Sequence, residues 1–367
     1  MAGLPFNRSL AHHHYGAGVG GIVRGRYPTV LEGSGTISTE AVGVEIAAPA
    51  AAAVAAVTAY SMARFESRTF PSLGISGVDI HKVDRPVRAE MGGLAVLLAM
   101  ALASSLFLGL EYSEDGSAVL FAAVAATVAF AGLVGVADDM LEISQKLKPF
   151  LIVVASVPLM FYLSQRAFIF VPLLGSVHLG LLYPLIAVPL AITTSANFSN
   201  LLAGFNGLEA GCASISLGTM SVLSYAYGHP TVAVLGVIMT FAYVGFLALN
   251  WYPAKIFPGD SGTLMAGAAL AAMGLASGLE FEAIVLSVPA AMDFGLKMMH
   301  RRPFKQRHVL GNTKVREDGT LDPAPYPALV HAFMKVSPIG EKGLVLSVLA
   351  TEVLFAVAAV AVAVAFL

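Results

Sequence analysis

From residue 41 onward the chain alternates long apolar stretches with short polar ones. The apolar stretches cover 41–63, 92–110, 118–137, 149–165, 181–196, 208–227, 232–249, 261–277, 282–299 and 343–367. A helix needs about 20 apolar residues to cross a bilayer core, so the pattern predicts about ten transmembrane helices. The expected fold class is all-α, a polytopic integral membrane helical bundle. Small residues (Gly204, Gly207 and Gly211; Gly262 and Gly267) would let helix backbones approach closely in lipid. The first forty residues break the pattern, being Gly-rich with no apolar run. They read as a flexible tail, or as a start codon set too early, ahead of a transmembrane domain over 41–367. The run His12, His13, His14 in that tail reads as incidental rather than as a metal site.

Composition narrows the class. Of 367 residues, 57% are hydrophobic and 12% charged, with mean hydropathy +0.78, against roughly 45–50% and about 25% in soluble domains. The apolar content excludes a disordered chain, and a net charge of -2 excludes a nucleic-acid-binding protein. The single cysteine, Cys212, excludes a disulfide scaffold, an iron–sulfur cluster and a Cys-rich zinc site.

Charge then orients the chain. With an even number of spans both termini share one side. The connections 64–91, 138–148, 197–207, 250–260 and 300–342 carry sixteen of the 21 Lys and Arg residues, with Lys297 at a helix end beside them. The other side carries only Arg8, Arg24, Arg26 and Arg166. The positive-inside rule makes the first set cytoplasmic and both termini external. Every polar cluster also falls in the first set, which points to a reaction at the cytoplasmic face rather than a path across the membrane.

Five clusters carry chemistry. Asp79, His81, Lys82, Asp84, Arg85, Arg88 and Glu90 precede the second apolar run. They suit a phosphorylated polar ligand, Glu90 accepting from hydroxyls, or else form a charged juxtamembrane loop. Asp138 and Asp139 end the third run, with Lys146 and Lys148 following. A metal-activated phosphoryl transfer, a proton relay or a structural helix-end pair would each fit them. The stretch 197–211 interrupts apolar sequence with Asn197, Asn200 and Asn206; amides can hold a hard cation or read a base edge, and can equally cap helices. Asp260 follows Pro258 and Gly259 where a helix begins, a place for a metal carboxylate or an ordinary cap. His300, Arg301 and Arg302 suit a pyrophosphate, or anionic lipid. Asp293 and Lys297 read as an intramembrane ion pair, and Glu352 has no partner legible in the sequence.

Taken in order, these segments resemble the polyprenyl-phosphate N-acetylhexosamine-1-phosphate transferases. The stretches 197–211 (NFSNLLAGFNGLEAG), 250–260 (NWYPAKIFPGD), 135–148 (GVADDMLEISQKLK), 78–93 and 300–303 (HRRP) are similar to the eukaryotic and archaeal branch acting on dolichyl phosphate. The resemblance implies ten spans and cytoplasmic active-site loops. It implies transfer of GlcNAc-1-phosphate from UDP-GlcNAc to a polyisoprenoid phosphate with Mg²⁺, or Mn²⁺ in its place. It would give Asn200 and Asp260 to the metal, and the backbone of Val78, Asp79 and Ile80, with Glu90 and Asn206, to the nucleotide-sugar. His300 and Arg301 would contact pyrophosphate or sugar. Lys148 would hold the lipid phosphate beside Asp138 and Asp139, with Asn197 nearby. Met299 stands where eukaryotic members usually carry an arginine, leaving Lys297 or Arg302 to replace it. An archaeal-like member would sit in the plasma membrane, and a homodimer stays open. The alternatives are an undecaprenyl-phosphate sugar-1-phosphate transferase and, in another class, a nucleotide-sugar transporter.

Overall fold

The computed structural model describes residues 39–110, 116–144, 146–202, 204–299 and 313–366. The expected 1–40 tail lies outside them up to residue 38, and helix α1 (Thr39–Thr69) begins at its edge. There follow α2 (Gly93–Leu110), α3 (Ser117–Leu141), α4 (Leu147–Ala155), α5 (Val157–Tyr162), α6 (Val188–Leu201), α7 (Leu208–Ala226), α8 (Pro230–Asn250), α9 (Gly259–Ser277), α10 (Glu280–Met298), α11 (Leu329–Val336) and α12 (Glu341–Phe366).

Each of the ten apolar stretches falls on a helix or on consecutive helices, but ten full spans do not follow. Among the described residues, α2, α3, α8 and α12 are long and apolar enough to cross a membrane. The fourth stretch is bent by 42° between α4 and the segment Val157–Gln165. Pro158 explains the break, because its ring removes an amide hydrogen and crowds the preceding turn. The remaining helices are shorter or more polar. α9 is buried from Ser261 to Ser277, and a helix covered by protein on every side presents little surface to lipid.

The expected helical fold holds, since helices dominate the described residues, but three short antiparallel hairpins among those residues make it less than purely α. They are β1 (Ser76–Val78) with β2 (Val87–Ala89), β3 (Phe168–Val171) with β4 (Gly175–His178), and β5 (Lys314–Val315) with β6 (Leu321–Asp322). Strands of two to four residues are too short to show alternation in sequence.

α9 is the central post, touching α2, α3, α6, α7, α8 and α10. Its backbone comes close to that of α3 at Gly135, where an added Cβ would stand 2.3 Å from Ser261 Cα. Gly262 and Gly267, expected to permit close approach, lie against the backbone of Gly93 and Ser195 respectively. Gly211 faces the side chain of Leu349 instead. Glu352 gains a partner, the Ser216 hydroxyl, which donates to its Oε1. We expect Gly135→Ala to push the first turn of α9 away from α3. The melting temperature in detergent should fall, overpacking costing about 1–3 kcal/mol; an unchanged melting temperature would show that this contact does not hold the two helices together.

Candidate active site

Three helix ends meet at the site. Asp138 and Asp139 close α3, Lys148 opens α4 and Asp260 opens α9. The Lys148 ammonium bridges the Asp138 and Asp260 carboxylates. Among the described residues, Asp138 Oδ1 is buried without a hydrogen-bond partner. Asp139 serves a different end: Oδ1 accepts the Asp260 amide hydrogen at 2.7 Å and Oδ2 that of Ser261 at 3.1 Å. It therefore caps α9 from a neighbouring helix, where a carboxylate also favours the positive end of the helix dipole. Lys148 was expected beside both aspartates; the structure pairs it with Asp138 and Asp260. Adjacent residues on a helix diverge by about 100° and do not both face one ammonium.

The run Pro258, Gly259, Asp260 is the local code for this geometry. Gly259 has φ +67°, and a Cβ there would stand 2.6 Å from Asp139 Oδ2. Glycine thus satisfies both the left-handed turn and the close approach. Asp260 remains more open than its partners, its side chain 30% exposed against 6% for Lys148.

Asn200, near the end of α6, lines the same cavity, and its side chain faces the Asp260 carboxylate. Among the described residues its Nδ2 is buried with no partner at full hydrogen-bond geometry. Because amide oxygen and nitrogen are interchangeable by rotation, Oδ1 can take that place. An amide and a carboxylate oxygen are hard donors that suit Mg²⁺ or Mn²⁺, which keep their other positions for water and phosphate oxygens. The two residues thus fit a divalent ion.

The cavity, about 380 Å³, is bounded by Val78, Asp79, Ile80 and His81 on one side and by Thr313, Tyr326 and His331 on another. Glu90 also lines it; burial first, then the fields of Asp139 and Asp260, hold its carboxyl above the usual range. Among the described residues, Asp260 and Glu90 line the cavity and Asp138 and Asp139 stand beside Asp260, four carboxylates against the one ammonium of Lys148 that Asp260 shares. The surplus disfavours phosphate groups until a cation offsets it. Lys297 reaches the cavity, but its ammonium is held by Asp293 at 2.6 Å and by the Leu201 carbonyl. The expected Asp293–Lys297 pair is therefore present. His300 and Arg301, with Arg302, lie outside the described residues.

Two expected ligand contacts sit elsewhere. Asn206 is only 1% exposed and lies behind the cavity wall. Its Oδ1 accepts the Ala254 amide hydrogen at 2.7 Å, and its Nδ2 donates to Asp79 Oδ2 at 3.2 Å. Asn197 Nδ2 donates to the Thr193 carbonyl one turn back, at 2.7 Å.

A second acidic group was not legible in sequence. Asp79, His81 and Glu341 bring ligand atoms within 4.8 Å of one another. Lys82 Nζ already bonds both carboxylates, at 3.1 Å to Asp79 and directly to Glu341. An ammonium thus supplies the charge a metal would. His81 stacks on Phe205 with ring centroids 4.1 Å apart, and burial pulls its imidazole down to about 4. Protonation costs more in the folded state, so stability is full above pH 6.5 and falls as the pH drops from 6.5 towards 4. The shift corresponds to about 3 kcal/mol. We expect acid unfolding of His81→Gln to lose that part of its pH dependence; an unchanged profile would refute the buried neutral imidazole.

A glycosyl transferase family 4 profile matches residues 121–278, the stretch that carries α3 to α9. A Saccharolobus solfataricus protein, provisionally named a UDP-N-acetylglucosamine–dolichyl-phosphate N-acetylglucosaminephosphotransferase, is 32% identical over 288 residues, 77% of this chain and 87% of the relative. The chain belongs to glycosyl transferase family 4. A Sulfolobus acidocaldarius protein with the same provisional name is 30% identical over 291 residues, 78% of this chain and 87% of that one. A Clostridium botulinum phospho-N-acetylmuramoyl-pentapeptide-transferase is 32% identical over 197 residues, 50% of this chain and 58% of its own. The family 4 match includes Asp138, Asp139, Lys148, Asn197, Asn200, Asn206 and Asp260, whereas Glu90 and Glu341 lie outside it.

Proposed function

We propose that this family 4 enzyme transfers N-acetylglucosamine-1-phosphate from UDP-N-acetylglucosamine to a polyisoprenoid phosphate of the dolichyl type, yielding lipid-diphosphate-N-acetylglucosamine and UMP. The observation that carries the reading is that α6 joins two unlike spaces. Its end brings Asn200 into the polar cavity beside Asp260. Lower on the same helix, Leu190, Ser195 and Phe198 line an apolar groove of about 400 Å³ against α9 and α10. A lipid phosphate has the same two parts, a tail that suits the groove and an anionic head that suits the neighbourhood of Lys148. The cavity walled by Val78, Asp79 and Ile80 falls within the ordinary range for small-molecule sites, roughly 300–1,000 Å³, and would take the nucleotide-sugar. The substrates are those in the names of the archaeal relatives.

In the reaction, an oxygen of the lipid phosphate bonds to the sugar-bearing phosphorus of UDP-N-acetylglucosamine. The bond from that phosphorus to the bridging oxygen breaks, and UMP leaves with that oxygen. A phosphate monoester has a second pKa of about 6, so the acceptor is largely dianionic at neutral pH and no side chain must remove its proton. Lys148 orients the acceptor, Asp138 holds Lys148, and Asp139 fixes the first turn of α9 so that Asp260 faces the cavity. Asn200 and Asp260 would hold Mg²⁺, or Mn²⁺, which when bound neutralises phosphate charge. The displacement is direct, with no phosphorylated aspartate. If the ten apolar stretches alternate across the bilayer, the clustering of Lys and Arg in one set of connections supports a cytoplasmic site and external termini.

The test incubates membranes containing the full chain with radiolabelled UDP-N-acetylglucosamine and dolichyl phosphate. Labelled lipid and stoichiometric UMP are expected. Uptake of the nucleotide-sugar without labelled lipid would make the chain a carrier instead. Asn200→Ala should lower turnover by roughly 10²-fold and raise the Mg²⁺ needed for half-activity; unaltered Mg²⁺ dependence would remove Asn200 from the metal.

A further inference from the structure

We propose that Glu341, the first residue of α12, is a positioning residue for the nucleotide-sugar, holding the Val78 to His81 wall in place through Lys82 and Asn206. The proposal rests on the reading of the cavity as the nucleotide-sugar site. Glu341 is 4% exposed, and its bonded partners are Lys82 and Asn206 rather than members of the Asp138–Lys148–Asp260 bridge. Its Oε1 accepts the Asn206 amide hydrogen at 2.8 Å, and its Oε2 takes the Lys82 ammonium. Lys82 Nζ donates in addition to Asn206 Oδ1 at 3.2 Å and pairs with Asp79 Oδ2 at 3.1 Å. The Tyr252 ring lies under both Lys82, at 4.3 Å, and Lys342, at 5.1 Å. The loop holding Asp79 and Lys82, the start of α7, the loop after α8 and the start of α12 are thus tied at one point.

Without this tie, the wall is secured by a hairpin of three residues a strand, the Asp79 amide hydrogen bond to the Pro86 carbonyl and the stack of His81 on Phe205. Two short strands alone are marginal. Losing Glu341 would leave the buried Asn206 amide hydrogen without its acceptor and Lys82 with one carboxylate fewer. The wall would then sample other positions, and binding of the nucleotide part would suffer more than the chemical step.

The purified full-length chain in detergent provides the test, read by UMP binding in calorimetry and by steady-state kinetics with both substrates. Glu341→Ala should weaken UMP binding and raise KM for UDP-N-acetylglucosamine by roughly tenfold or more. KM for the lipid phosphate and kcat should stay within about threefold. Glu341→Gln, which keeps an acceptor for the Asn206 amide hydrogen, should recover part of the loss. Lys82→Met with Glu341→Gln should be no worse than the worse single variant. Unchanged UMP affinity in a folded Glu341→Ala overturns the proposal. So does an equal fall in every kinetic constant that tracks the melting temperature and is not relieved by glutamine. If Glu341→Ala does not fold, Glu341→Gln and Lys82→Met decide by the same readouts. Failure of the transferase reading appears separately, in the wild type: UMP binding with no labelled lipid sinks the reaction and leaves the brace to be judged by UMP affinity. Absence of UMP binding overturns both.

Discussion

Asp260→Ala is expected to lower turnover by roughly 10³-fold or more while the chain stays folded. The substitution removes the carboxylate that faces both the cavity and Asn200, and that shares Lys148 with Asp138. The fold should persist, because Asp139 caps the backbone amide of residue 260 rather than its side chain. Asp260→Asn preserves the shape and should lose as much activity, which separates charge from size. Turnover within about tenfold of wild type in either variant would remove Asp260 from the chemistry.

Lys148→Met should damage stability and activity together. Without the ammonium, the Asp138 and Asp260 carboxylates face one another with no cation between them. Leaving a buried charge unpaired costs about 3–5 kcal/mol, to be read as a lower melting temperature in detergent. Turnover should fall by roughly 10²-fold or more if, as proposed, Lys148 orients the acceptor phosphate. Adding Asp138→Asn to Lys148→Met relieves the repulsion and should restore stability without restoring activity. Recovery of both would make Lys148 a structural cation only.

Much of the helical framework was legible in the spacing of apolar residues, since burial in lipid or protein demands the same long runs. The bend at α4 was not, because a proline in the first turn of α5 leaves apolarity unbroken. α11 and the hairpins escaped because each is too short to show a period. For the site, Asp138, Lys148, Asn200 and Asp260 were visible as costly polar residues at the ends of apolar runs, and the structure brings all four together. The pair Asp138 and Asp139 read as one feature, yet helical geometry turns one to Lys148 and the other to the cap of α9. Asn206 looked like a ligand contact because it sits among glycines; what it bonds to was hidden, being an acid 135 residues away. Glu341 carried no local signal beyond an acid at a helix start. Its partners became apparent only when the chain closed on itself.

We propose that a divalent ion is held between Asn200 and Asp260. Electron paramagnetic resonance of Mn²⁺ titrated into the purified full-length enzyme with UDP tests it directly. One bound Mn²⁺ is predicted in the wild type and in Glu341→Gln, with roughly tenfold or weaker binding in Asn200→Ala and none in Asp260→Ala. Retention of the ion in Asp260→Ala and its loss in Glu341→Gln would contradict the account and place the metal among Asp79, His81 and Glu341.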